Sequence, residues 1–153
     1  MGFRKGFNNE MKFMLDEGAI APTRAHVSDA GLDLYAYKFL NYQSEKVLVV
    51  RPDTTYLIDT GLHVAIPAGH CGLVLPRSSS ARDGLLVHTG VIDSGYTGSI
   101  KITVNALNEA KVVRLNDRIA QLLIIPIPTF ELKKVDALSD SERGDNGFGS
   151  SGI

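Results

Sequence analysis

No stretch of this chain repeats its apolar residues at a helical spacing, whereas short runs rich in β-branched and aromatic residues recur between turn signals along almost its whole length. The chain reads as all-β. Strands are predicted over 12–15, 32–37, 46–50, 56–66, 72–75, 85–88, 99–106, 111–115, 118–125 and 129–134. That many short strands fit a sandwich, a jelly roll or a barrel. The punctuation between them is chemically specific: Pro52-Asp53, Pro67-Ala68-Gly69, Asp83-Gly84 and Asn108-Glu109 each favour a turn. One short helix is expected over 79–82, with Ser as its N-cap and Gly84 in the left-handed conformation past its end.

At 153 residues the chain is long enough for one good-sized core and not for two. The predicted organisation is a flexible extension over 1–10, a β-barrel-like or distorted jelly-roll domain over 11–138, and a glycine-rich arm over 139–153. The formal net charge is -1, so no global basic field gathers nucleic acid or an anionic membrane. Neither is expected as a partner, and any phosphate chemistry must be local. The longest apolar run, 119–127, contains Gln121 and Pro126 and falls short of the roughly 20 residues a membrane span needs. The first residues lack the apolar centre of a secretory signal, which points to the cytoplasm, or to the nucleus or a host cytoplasm for a viral chain. Cys71 is the lone cysteine and is read as a small core residue; with four scattered histidines it makes no zinc-binding spacing.

Five short constellations carry chemistry. The terminal run Arg143-Gly144-Asp145-Asn146-Gly147-Phe148-Gly149-Ser150-Ser151-Gly152 puts uncrowded backbone N–H groups beside a guanidinium, two hydroxyls and one aromatic ring. Its composition equally fits a linker, although Phe148 would then cover nothing. Pro76-Arg77-Ser78-Ser79-Ser80 lies between a strand and the short helix, where N–H groups and Arg77 suit an anion; a plain turn is the other reading. In Gly90-Val91-Ile92-Asp93-Ser94-Gly95-Tyr96-Thr97-Gly98, Asp93 ends a β-branched run, three residues from Tyr96. Asp33 sits between Leu32 and Leu34, so alternation turns its carboxylate away from both; simple exposure to solvent is the other reading. In Asn116-Asp117-Arg118-Ile119-Ala120-Gln121-Leu122 a lone amide, Gln121, enters an apolar run and needs partners, either a structural network or a ligand.

Taken in order, Asp29-Ala30-Gly31-Leu32-Asp33-Leu34-Tyr35, Pro76-Arg77-Ser78-Ser79, 90–98, Arg118-Ile119-Ala120-Gln121-Leu122 and 143–152 resemble the five motifs of the homotrimeric dUTP nucleotidohydrolase (dUTPase) family, over residues 11–153. The resemblance implies hydrolysis of dUTP to dUMP and pyrophosphate, which limits uracil incorporation into DNA and supplies dUMP for dTMP synthesis. Asp93 resembles the catalytic acid that orients a water for in-line attack on the α-phosphorus. Aspartate is a weak base at neutral pH, so positioning and electrostatics would carry most of its effect. Tyr96 resembles the residue whose ring excludes a ribose 2′-hydroxyl. Gly90 and Ile92 belong to the hairpin that meets the nucleoside, with uracil read by backbone groups. Arg77, Ser78, Ser79 and Gln121 match phosphate-holding positions; Arg143, Gly149, Ser150 and Ser151 match the tail that closes over the phosphates, and Phe148 would stack on the uracil. The implied cofactor is Mg2+ on the triphosphate, with Asp33 reaching it through water. The implied assembly is a homotrimer with sites shared between subunits; the sequence names no other protein partner.

Three departures stand out. Asn116 replaces a usual glycine, an exchange that left-handed backbone tolerates. Asp145-Asn146 adds a carboxylate to the tail, and Val87-His88-Thr89-Gly90 lacks the Asn of some members. The dCTP deaminase family shares the Arg-Ser-Ser loop and the Ile-Asp hairpin, but its chemistry needs a glutamate where Thr103 stands here. A nucleotide-switched regulatory module is the rival of another class; the full set of catalytic positions argues against a purely non-enzymatic one.

Overall fold

The computed structural model describes residues 10–44 and 46–145. In chain order the elements are β1 (Phe13–Leu15), β2 (Leu32–Tyr35), β3 (Lys38–Leu40), β4 (Val47–Val50), β5 (Tyr56–Asp59), β6 (Leu62–Val64), β7 (His70–Pro76), α1 (Ser78–Arg82), β8 (Leu85–Val87), β9 (Gly90–Asp93), β10 (Lys101–Ala106), β11 (Lys111–Arg114) and β12 (Arg118–Pro126). Two four-stranded antiparallel sheets, ordered β2-β12-β7-β9 and β3-β5-β10-β8, form the body, with β1-β6 and β4-β11 as two-stranded additions. The arrangement is jelly-roll-like, and among the described residues no barrel closes.

Strand alternation builds the core. In β10 every second residue, Ile102, Val104 and Ala106, is buried, and these meet Ile58 of the same sheet and Leu34, Val74, Ile119 and Leu122 of the other in one cluster. Each such buried aliphatic side chain is worth ~1.5–3 kcal/mol over an exposed one. Cys71 joins this interior, as its composition suggested.

The predicted strand over 56–66 is broken in two. Asp59 Oδ1 accepts the Gly61 N–H at 2.9 Å, Thr60 Oγ1 accepts the Leu62 N–H at 3.2 Å, and Gly61 takes φ +61. A side chain at Gly61 would stand 2.7 Å from Ala19 Cβ, so the turn is open to glycine alone. β3 and β9 are strands that the periodicity did not separate out. No strand forms over 129–134: a strand needs a paired edge, and none of the described residues offers that segment one. Its side chains, and those on either side, stand in the open, with Phe130, Leu132 and Leu138 each at least 75% exposed.

The helix begins at Ser78, and its N-cap is Arg77, without a side-chain capping bond, rather than Ser. Its exit is as expected: Asp83 is the C-cap and Gly84 follows with φ +79. Asn116 adopts φ +69, the conformation for which a glycine would be usual.

Candidate active site

Three of the five motifs meet within the chain. β12 lies between β2 and β7, so that Gln121 faces Asp33 on one side and Leu75 on the other. Gln121 Nε2 donates to the Pro76 carbonyl at 2.9 Å, which ties its side chain to the end of β7. Gly31 makes the room: a Cβ there would overlap Gln121 Oε1. The lone amide of the apolar run thus has a structural partner, and the glycine of the first motif interlocks with the glutamine of the fourth.

Arg77 leaves β7 directly beside them. Its Nε donates to Asp33 Oδ1 at 2.9 Å, and one Nη donates to Ser79 Oγ at 3.2 Å and to the Arg118 carbonyl at 3.1 Å. Arg118 Nη1 reaches Asp33 Oδ2 at 3.4 Å. Asp33 therefore does not look into open solvent; its side chain is only 18% exposed, between two guanidinium groups. Asp33 between two arginines leaves that trio with one net positive charge. With Gln121, Ala25, Asp29, Ala30, Gly31 and Ser78 they line a cavity of about 350 Å3 whose wall mixes polar and apolar surface. Asp29 brings the formal charge of the lining to zero, but its carboxylate is turned to the His26 N–H, so the guanidinium groups and the Ser78 hydroxyl are the groups that can meet a phosphate.

Arg118 is a member of this cluster to which the sequence assigned no role. Simple alternation sets Arg118 and Gln121 on opposite faces, but the register shifts between Arg118 and Ala120, and both side chains reach the cavity. Asp29 is the other omission. Its Oδ2 accepts the His26 N–H at 2.8 Å and its carbonyl accepts Arg24 Nε at 3.0 Å, so it folds the loop that forms one rim.

Whether these residues suit magnesium follows from the donor set. Both Asp33 oxygens already accept hydrogen bonds from arginine, and no group of three or more His, Cys, Asp or Glu converges among the described residues. Direct capture of a bare dication does not fit. A hydrated Mg2+ held chiefly by phosphates does, because it keeps its waters and each Asp33 oxygen retains a second lone pair for one of them.

The third motif lies elsewhere. β9 pairs with β7 in a register that sets Asp93 opposite Cys71, while Arg77 follows Pro76 at the other end of β7. Six residue steps from Cys71 to Arg77, at 3.3–3.4 Å each, put about 20 Å of strand between the two. Asp93 is exposed, at an edge strand. The turn after it is well fixed: Asp93 O accepts the Tyr96 N–H at 3.1 Å and Gly95 carries φ +93, as a type II turn demands of its third residue. Ser94 Oγ donates to Ile66 O at 3.0 Å, and the Tyr96 hydroxyl donates to Ser99 O at 3.1 Å. Gly98 leaves space for the phenol, since a Cβ there would overlap the Tyr96 hydroxyl. Gly90 and Ile92 lie on β9, and Ile92 packs on the core while Asp93 points out.

The fifth motif is only partly described. Arg143 lies in an exposed turn closed by the Gly144 N–H on Ser141 O at 3.1 Å, and it does not line the cavity. Phe148, Gly149, Ser150 and Ser151 lie outside the described residues. The chain thus joins Asp33, Arg77, Ser78, Ser79 and Gln121, keeps Asp93 and Tyr96 together, and does not bring the two groups to one place.

The comparisons bear out the resemblance to the family. A family model described as dUTPase matches residues 17–152. The deoxyuridine 5′-triphosphate nucleotidohydrolase of Mycobacterium marinum is 43% identical over 148 residues, covering 90% of this chain and 91% of its own length. Among solved structures, the dUTPase of Staphylococcus bacteriophage 80alpha with dUpNHpp superposes with a TM-score of 0.83 at 31% identity, over 95% of this chain and 99% of that one. A mutant dUTPase of phage phi11 of S. aureus, solved to reveal the coordination of a structural Mg(II) ion, gives 0.73 at 28% identity, over 84% and 98%. With the family model spanning most of the sequence and the relative sharing this identity nearly end to end, the chain belongs to the dUTPase family.

Proposed function

We propose that the protein hydrolyses dUTP to dUMP and pyrophosphate in a homotrimer whose active sites each draw on more than one chain. The observation that carries the shared site is the register of β7. A base that aligns a water for attack on the α-phosphorus must stand within one water of the phosphates, yet about 20 Å of strand lies between the position opposite Asp93 and Arg77 within one chain, further than a triphosphate reaches. A second copy presenting its Asp93 turn to the first copy's cluster removes the conflict. The exposed apolar side chains of the segment after β12, Phe130 and Leu132 above all, supply the surface that such assembly would cover.

In that arrangement Arg77, Ser78, Ser79 and Gln121 hold the phosphates, and Arg118 adds positive charge beside Arg77. Asp93 accepts a hydrogen bond from the attacking water and aligns it with the phosphorus, a contribution of geometry and field more than of basicity. The Tyr96 phenol stands against Gly98 where the sugar would rest, so that a 2′-hydroxyl would have no space; Gly90 and Ile92 border the base. Arg143, Phe148, Gly149, Ser150 and Ser151 close over the nucleotide. Asp33 would hold a phosphate-bound Mg2+ through water, and the ion would supply neutralisation of the triphosphate's charge. No helix among the described residues is long and apolar enough to cross a membrane; the cytoplasm, where a nucleotide substrate is met, is the location that goes with this reading.

The test is a panel of deoxynucleoside triphosphates and UTP assayed for pyrophosphate and ammonia with magnesium present. Pyrophosphate from dUTP alone is the expected result. Ammonia from dCTP would instead support the deaminase of similar fold, for which Thr103 lacks the acid–base chemistry.

A further inference from the structure

The leg of the Asp93 turn that returns to the body runs from Thr97 to Ile100 alongside β6. The Ile100 N–H donates to Leu62 O at 2.8 Å, Thr60 Oγ1 donates to Ile100 O at 2.7 Å, and Ser99 Oγ donates to Asp59 Oδ2 at 3.1 Å. Thr97, next to Tyr96, is held by a side chain instead: His63 of β6 sets Nδ1 2.8 Å from Thr97 O and Nε2 3.2 Å from Asp16 Oδ1. Both partners are acceptors only. A neutral imidazole has one N–H and can satisfy one of them; the imidazolium satisfies both.

We infer that His63 is a positioning residue for the proposed reaction: as the imidazolium it staples Thr97, and with it the Tyr96 and Asp93 turn, to Asp16 beyond β1. The inference rests on the dUTP reading for its catalytic consequence, and on the two distances for its structural one. The surroundings agree in sign. The Thr97 carbonyl is the main influence raising the His63 pKa above its ordinary value; partial burial opposes it, and Asp16 and then Asp59 add to the rise. Lys12 lines the same groove as His63 and is the nearby positive group on the β1 side; Lys101 is engaged with Ser99, itself bonded to Asp59. Because the folded pKa is raised, the staple is complete below the ordinary value of ~6.5 and is lost as pH rises through the folded value.

Two variants and one titration decide the matter. In the wild-type protein, NMR should show His63 titrating above ~6.5, with the amides of Tyr96, Thr97 and Gly98 shifting at the same midpoint. In Asp16→Asn, whose amide can donate to neutral Nε2, the midpoint should fall and those amides should cease to follow it. Wild-type turnover of dUTP should exceed that of His63→Ala by about fivefold near pH 6, narrowing to less than twofold near pH 9, since the ratio cancels every other titrating group. A ratio that is flat with pH, together with amides that ignore the His63 titration, overturns the inference. Failure of the substrate reading looks different: the wild-type protein would be inactive at every pH, while the amide titration would still decide the role of His63.

Discussion

The cluster around Asp33 and the turn around Asp93 are built in opposite ways. The first is a lattice of side chains: Asp33, Arg77, Ser79, Arg118 and Gln121 bond to one another and to strand carbonyls on partly buried ground, and Gly31 is cut away to admit the glutamine. In the second the backbone is fixed and the proposed working groups are left outside, with Asp93 exposed and the Tyr96 phenol against Gly98. A pocket that receives a polyanion gains from fixing its charges before the ligand arrives. A turn that must reach into another chain's pocket gains from a rigid frame and an outward carboxylate. The difference teaches that one half of the proposed site is a receptor and the other is a probe.

Removing the probe's charge should have the largest effect. Asp93→Asn keeps the shape of an exposed residue, so folding and dUTP affinity should barely change while turnover falls by at least ~100-fold. Rapid-mixing kinetics beside a binding isotherm would separate the two, and near wild-type turnover would mean that the turn does not act on the water. Disturbing the receptor should act on binding instead. Gly31→Ala drives a methyl into Gln121 Oε1 and crowds its Cδ and Cβ, so the amide must leave the Pro76 carbonyl and the melting temperature should fall by several degrees while the fold survives. The displaced amide should also raise KM by about tenfold with kcat nearly intact. A fall in kcat alone would make Gln121 part of the chemistry and blur the distinction.

The motifs were legible because their residue types conflict with their settings: an amide in an apolar run, an aspartate between leucines, a carboxylate closing a β-branched strand. The all-β class was legible from the same alternation that buries Ile102, Val104 and Ala106. What could not be seen was distance. Nothing in the motif order says that Asp93 pairs with Cys71 rather than near Pro76, since register is a property of the assembled sheet. The break at Gly61 did carry a signal, a Thr-Gly pair inside a run too long for one strand, but the run's hydrophobicity hid it. Arg118 escaped because a strand irregularity overrides alternation, and the strand expected over 129–134 failed because apolar pattern alone supplies no partner edge.

The division between receptor and probe is tested most directly by mixing two inactive proteins. Asp93→Asn retains an intact Arg77 cluster, and Arg77→Ala retains an intact Asp93 turn. Unfolded together in equal amounts and refolded, they would form mixed assemblies if the proposed trimer holds, in which some sites join a wild-type turn from one chain to a wild-type cluster from another. Random assortment predicts recovery of about a quarter of the wild-type turnover, from two parents that each have almost none. Should both groups serve a site within a single chain, no mixed trimer would hold a complete site, and turnover would stay at the level of the parents.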